Sequence, residues 1–269
     1  MYKRILVPVK EPSEVEPMIR FAASLLEADG EIRILHIIPT TTLPEVAREW
    51  RSSVNIVIPA HEAGAALDVK VEPEVRAATD VPAEILECAE NEGVEAIVLT
   101  LQGNRRSHNP FVGHTASGIL HHAGADVLIV NRLALAADHI PRVLVPTLQP
   151  TASPKALKIA EEISIRRGGV PVITLNLGAR GSAGADLPPT EEESPRGVPV
   201  VHKHLSFSDA MLGRRRRLPD LLLLAAQRER YGLLLVVGEQ EGASGPWLTR
   251  RFLEELFRGA PCPVVAIRV

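Results

Sequence analysis

The sequence predicts an α/β protein made of two tandem open, parallel five-stranded sheets, each flanked by helices. Three observations lead there. First, Arg4-Ile-Leu-Val-Pro-Val-Lys-Glu-Pro12 returns as Arg142-Val-Leu-Val-Pro-Thr-Leu-Gln-Pro150, and Ala125-Asp-Val-Leu-Ile-Val130 is answered by Cys262-Pro-Val-Val-Ala-Ile267, at nearly the same offset. A self-similarity on that scale is the mark of a duplicated unit. Second, short β-branched runs alternate with stretches of helical period, the pattern of successive right-handed βαβ crossovers. Third, 45% of the chain is apolar, yet only nine residues of 269 are aromatic. The core must therefore be built from Val, Ile, Leu and Ala, which suits a sheet buried on both faces.

In the first copy, periodicity predicts strands at about 4–9, 31–38, 68–75, 95–100 and 126–131, with helices at about 14–28, 44–66, 81–92 and 113–123. Pro82 just after Asp80 is a helix start signal, because proline fits the first turn where its missing N–H is not needed. The nearly all-apolar Glu95-Ala-Ile-Val-Leu-Thr100 reads as a central strand. In the second copy the same order runs through about 142–147, 153–167, 170–176, 198–206, 215–230, 233–238, 247–258 and 263–268. There the second helix is missing. Gly178 to Gly197 stands in its place, rich in Gly, Pro, Ser and Glu, and its composition predicts a mobile loop with too little apolar surface to fold alone. The domains are expected at 1–132 and 141–269, joined by a linker at 133–140 whose apolar content predicts that it packs against the body.

Ligands of open parallel sheets bind beyond the carboxyl ends of the strands, where the strand order reverses. The loops after the first and fourth strands are therefore the places to search. With its Ile-Leu-Val-Pro opening strand, the strand Ala96-Ile-Val-Leu99, a glycine-bearing loop and the ending Arg258-Gly-Ala-Pro-Cys-Pro-Val-Val265, the chain resembles the universal stress protein family over nearly its whole length, twice. The resemblance implies the adenine nucleotide alpha hydrolase-like fold. It also implies halves that associate through their last strands, Asp126–Asn131 with Cys262–Arg268, as an internal pseudo-dimer.

Nucleotide-binding members of that family carry Gly-x2-Gly-x9-Gly-Ser/Thr after the fourth strand. The glycines let backbone amides close on phosphates, and the last pair opens a helix whose dipole favours anions. Here the pattern falls on Thr100, Gly103, Gly113 and His114, with Thr115 as a substitute hydroxyl donor. The Cβ of Thr100 would crowd a close phosphate approach. Val9 and Lys10 follow the first strand, and Lys10 stands where those members have an Asp, a reversal of charge. Asn104, Arg105, Arg106 and His108 make the loop basic.

Two readings of this first site follow: an altered anion or nucleotide site, or a vestigial one with solvated loop charges. If a ligand binds, the resemblance implies ATP or AMP with magnesium, held by Val9, Lys10, Thr100, Gly103, Asn104, Gly113, His114 and Thr115. In the second copy only Gly238 persists. Arg250 and Arg251 take the Gly-Ser place and Leu148 the Asp place, so a close phosphate cradle is not expected.

Other constellations read as structural. His108, His114, His121 and His122 lack the i, i+4 spacing of a helical zinc pair and are expected at a surface or interface. Arg214 to Arg217 reads as a solvated turn. His202 and His204 alternate on a strand and are expected to lie exposed at an edge. Cys88 and Cys262 are too few for a disulfide framework or zinc site, and Cys88 reads as a buried thiol. A net charge of −3 excludes an overall basic field for nucleic acid.

No stretch approaches the 18 apolar residues of a membrane span and the start lacks signal-peptide zones, so the expectation is a soluble cytoplasmic protein. No nucleophile elbow, triad or Walker pattern is present. The expected function is a non-catalytic regulatory or adaptor protein working through protein surfaces, possessing no metal site and associating with unknown protein partners or a second chain. The alternative is an adenine-nucleotide sensor using the N-terminal half alone.

Overall fold

The computed structural model describes residues 2–40, 43–100, 114–136, 140–147, 152–177, 188–204, 218–230, 232–238, 249–260 and 262–268. The chain divides into two compact units, the first holding the described residues up to Val130 together with Arg268, and the second those from Asn131 to Ile267. In the first, β1 (Tyr2–Pro8), β2 (Leu26–Pro39), β3 (Lys70–Ala78), β4 (Ala96–Thr100) and β5 (Asp126–Val130) lie in the order β3-β2-β1-β4-β5. All described pairings among them are parallel. Between them run α1 (Pro12–Ala23), α2 (Leu43–Ser52), α3 (Val54–Leu67), α4 (Val81–Asn91) and α5 (His114–His122). The order reverses between β1 and β4, which places the switch point at the ends of those two strands.

The core is aliphatic, as the scarcity of aromatics requires. Ile5, Leu6, Val7, Ile32, Ile34, Ile97, Val98, Val127 and Leu128 are fully buried along the strands. On α1, Val15, Met18, Ile19 and Ala22 recur at helical spacing and form its buried face. The Asp80 carboxylate accepts from the Ala83 amide and so caps α4 ahead of Pro82. At the amino ends of the strands, Glu31 gathers Arg4 at 2.5 Å and Lys70 at 2.6 Å, while Arg33 reaches Glu72 and Glu92. This ion-pair network sits at the pole opposite the switch point.

Two first-copy expectations need correction. The helix predicted at 14–28 ends at Ala23, because β2 starts already at Leu26. Its early part carries a register irregularity against β1, from Tyr2↔Leu26 to Arg4↔Glu31. Gly30 lies in that stretch, where a Cβ would stand 2.9 Å from the Lys3 carbonyl oxygen. The single helix predicted at 44–66 is two, α2 and α3, broken at Ser53. The hydroxyls of Ser52 and Ser53 bond back to the carbonyls of Glu49 and Trp50, the competition that bends helices at adjacent serines.

The second unit holds β6 (Val143–Thr147), β7 (Val172–Asn176), β8 (Thr190–Glu193), β9 (Pro199–His204), β10 (Leu233–Gly238) and β11 (Val264–Arg268). Its helices are α6 (Arg132–Ala136), α7 (Pro154–Arg166), α8 (Leu218–Arg228) and α9 (Arg250–Gly259). The order β11-β10-β6-β7-β9 repeats that of the first unit, strand for strand. The predicted linker at 133–140 overlaps α6, and its Ala134 and Ile140 are buried. Asn131 is buried just before α6. Its Nδ2 donates to the Cys262 carbonyl at 2.9 Å, and its Oδ1 accepts from the amides of Ala134 at 2.8 Å and Val264 at 3.0 Å.

The loop expected from Gly178 to Gly197 is partly a strand, so this sheet has six strands and not five. Thr190–Glu193 forms β8, antiparallel to β9, with Thr190 opposite His202 and Glu193 opposite Pro199. All four residues of β8 are exposed, so apolar burial does not hold it. The backbone ladder and a tight turn do: the Ser194 amide bonds the Val198 carbonyl, and Gly197 adopts a φ of 76°. The Ser194 hydroxyl accepts from the amides of Arg196 and Val198, and Arg196 pairs with Glu162 of α7 at 2.5 Å. Residues 178–187 lie outside the described residues, as do Arg214 to Arg217.

β8 also overturns the expectation that His202 and His204 lie at an edge, because β9 has β7 on one side and β8 on the other. His204 is exposed, but His202 is bonded across both neighbours. Cys88 is fully buried, as expected, and burial raises its thiol above the ordinary value. No helix among the described residues is long and apolar enough to cross a membrane.

Candidate functional site

The switch point of the first unit is built from the ends of β1 and β4. Ile5 pairs with Ala96 and Leu6 with Ile97, and extending that parallel register brings Val9 level with Thr100. Val9 is buried and anchored twice. Its amide donates to the Leu35 carbonyl at 2.9 Å, and its own carbonyl lies 3.0 Å from Nδ1 of His36. A carbonyl can only accept, so Nδ1 of His36 carries the proton in this contact. The chain then turns through exposed Lys10 into α1, where Pro12 occupies the first turn.

At the centre stands Glu14, a residue the sequence reading did not single out. Its Oε2 accepts from the amides of Lys10 at 3.1 Å and Glu11 at 3.2 Å, and its Oε1 accepts from the hydroxyl of Thr100 at 3.2 Å. The first two contacts are the backward reach of a capping-box carboxylate at the third helical position. The third crosses from helix to strand and joins the two loops that the strand order designates. The signal available beforehand was Glu14 three residues after Glu11, with Pro12 between them.

Of the expected site residues, the structure brings Val9, Lys10 and Thr100 together, with the Lys10 amide and the Thr100 hydroxyl converging on one carboxylate. Thr115 lies half-buried in the first turn of α5, and the backbone of His114 begins that helix. Gly103, Asn104 and Gly113 fall outside the described residues, together with Arg105, Arg106 and His108. His121 and His122 are exposed, and Nδ1 of His122 lies 2.9 Å from the Gly118 carbonyl of its own helix. Among the described residues no three potential ligands gather as for a metal ion.

In the second unit Gly238 closes β10 and Thr147 closes β6, while Leu148 lies outside the described residues. The hydroxyl of Thr249 caps α9 by accepting from the Phe252 amide at 3.2 Å. Arg250 and Arg251 follow it with no acidic residue in the first turn, and Arg251 pairs with Glu255 of the next turn at 3.1 Å. Cationic residues at the positive end of a helix dipole are unfavourable for the helix itself.

Residues 1–131 match the model of the universal stress protein family. No curated protein sequence matches the chain. Among solved structures, the chain is similar to a universal stress protein from Archaeoglobus fulgidus DSM 4304. That match has 18% identity, covers 98% of this chain and 95% of the other, and has a TM-score of 0.63. The cytoplasmic domain of a prokaryotic cation chloride cotransporter is similar at 11% identity, over 99% and 95% of the two chains, with a TM-score of 0.62. A functionally unknown protein from Pseudomonas aeruginosa PAO1 is similar at 9% identity, over 99% and 92%, with a TM-score of 0.60. At these identities the structural matches speak to the fold, and it is the family-model match that makes residues 1–131 a universal stress protein family domain.

Proposed function

We propose that the chain is a non-catalytic regulatory protein that acts through its protein surfaces, and that its N-terminal unit does not take up a nucleotide in the manner of the family's binding members. The observation that carries this reading is the Glu14 carboxylate at the switch point, held by the Lys10 amide and the Thr100 hydroxyl. An incoming phosphate would meet a resident negative charge whose donors are already engaged, and like charges so placed repel. Thr100 adds a side chain where the family's motif has a glycine. In a prokaryotic cation chloride cotransporter a domain of this fold is the cytoplasmic domain. A module of this fold is thus compatible with service as part of a larger assembly.

One observation favours the sensor reading. The donors of Lys10, Glu11 and Thr100 converge on an anionic group, so the spot has the polarity that an anion needs once Glu14 withdraws. Calorimetric titration of the protein with ATP and AMP, with and without magnesium, separates the two. No heat up to about 1 mM nucleotide is the expected result. Binding at roughly one equivalent per chain, abolished by Gly113→Trp, would overturn the proposal in favour of a sensor working through the N-terminal unit.

A further inference from the structure

We propose that His202 is a proton-operated clasp that holds the acidic strand β8 against the second sheet more tightly as the pH falls. This goes beyond the adaptor reading and does not depend on it. The imidazole is bonded at both nitrogens: Nδ1 lies 2.7 Å from the hydroxyl oxygen of Thr174 on β7, and Nε2 lies 3.0 Å from a carboxylate oxygen of Glu192 on β8. One side chain on the middle strand thus spans three strands. Thr174 is the register partner of His202 and is buried, so that end of the bridge is fixed. Glu192 is far more exposed, with 64% of its side chain accessible against 30% for His202, so the other end is the one that can let go.

Both protonation states satisfy the geometry, with different strengths. In the neutral ring the Thr174 hydroxyl donates to Nδ1 while Nε2–H donates to Glu192, an ordinary charge-assisted bond. In the imidazolium both nitrogens donate, the Thr174 hydroxyl turns round to accept, and the contact with Glu192 becomes an ion pair. Imidazoles make this change within about pH 5 to 8. Thr174 suits both forms because a hydroxyl can donate or accept.

Besides its backbone ladder to β9 and the turn at Ser194, the strand on which the clasp acts has no buried side chain to hold it. β8 is four residues long and wholly exposed, with Glu191, Glu192 and Glu193 in succession. Like charges along one strand favour its release, and the cation of His202 opposes them. Among the described residues, the elements around the ring carry the following groups. On β9, His204 shares the face of His202. On β7 that face carries uncharged Thr174 and Asn176. α7, which packs on β7, brings Glu162, itself paired with Arg166 and Arg196.

Backbone hydrogen exchange of Thr190–Glu193, corrected for the intrinsic pH dependence of amide exchange, tests the clasp. Protection is expected to be about twofold to fivefold greater near pH 5.5 than near pH 8, the range an exposed ion pair supplies. Glu192→Gln and His202→Gln should each abolish the difference while β9 stays protected, and His204→Gln should keep it. Side-chain nitrogen shifts of His202 serve as a second measurement, expected to move with the β8 protection along one titration curve. Equal protection at both pH values in the wild type, or a pH difference that survives His202→Gln, would overturn the proposal.

Discussion

Replacing Asn131 by Ala tests the polar anchoring of the segment that opens the second unit. The side chain is buried and makes three hydrogen bonds to backbone groups: one to the Cys262 carbonyl and two from the amides of Ala134 and Val264. Alanine removes all three at once and leaves two donors and one acceptor without their side-chain partner. At about 1 kcal/mol for each lost bond, the cost comes to roughly 3 kcal/mol, and more if the orphaned groups stay dry. For a chain of this size that corresponds to a fall in Tm of roughly 6–12 °C. Asn131→Asp is the informative companion, because a carboxylate can still accept from Ala134 and Val264 but cannot donate to Cys262. Thermal and urea unfolding followed by circular dichroism would read both variants. A loss below about 1 kcal/mol in Asn131→Ala would show that the buried amide does not anchor this segment.

Two further expectations follow from charge and burial. Lys70 first, and then Arg4, hold the Glu31 carboxyl below its ordinary value of 4.5. The stability it contributes is therefore complete above that value and is lost as the pH falls through the lowered one. Glu31→Gln should be less stable than wild type above about pH 5 and should converge with it near about pH 2, read as unfolding midpoints across that range. A constant gap across the range would refute the linkage. The thiols of Cys88 and Cys262 are buried, that of Cys262 being pushed up to about 11 by burial. Neither should react with a thiol reagent at neutral pH until the chain unfolds, and rapid labelling of the native protein would contradict the packing.

What was legible in the sequence was whatever repeats or alternates. The central strands are short apolar runs, and a strand such as Ala96–Thr100 has few other ways to bury its side chains. Alternation with helices implied a parallel sheet with right-handed crossovers, while the order of its strands came from the structure. β8 was not legible, because its residues are Thr and three Glu, and it forms by backbone pairing to β9 instead of by burial. His202 was misplaced for the same reason: without β8, its strand looked like an edge. The break at Ser53 depends on hydroxyls that bond carbonyls of the preceding turn, a local competition that apolar periodicity does not register.

The candidate site was half legible. The rule for open sheets pointed to Val9, Lys10 and Thr100, and those residues do meet at the switch point. Glu14 escaped because a comparison of motif positions asks which residues replaced the glycines, not which neighbour moved into the space. A carboxylate at the third helical position ordinarily closes its own helix and nothing more. Here the hydroxyl of Thr100 gives it a second task.

The glutamates of β8 also bear on how this molecule meets copies of itself. A strand at the rim of a sheet presents unpaired amides and carbonyls, a template on which another chain can crystallise into an endless ribbon. Here that rim carries Glu191, Glu192 and Glu193. An identical rim approaching it would set three carboxylates against three more. Charge at this end of the second sheet thus opposes edge-to-edge pairing with a like strand.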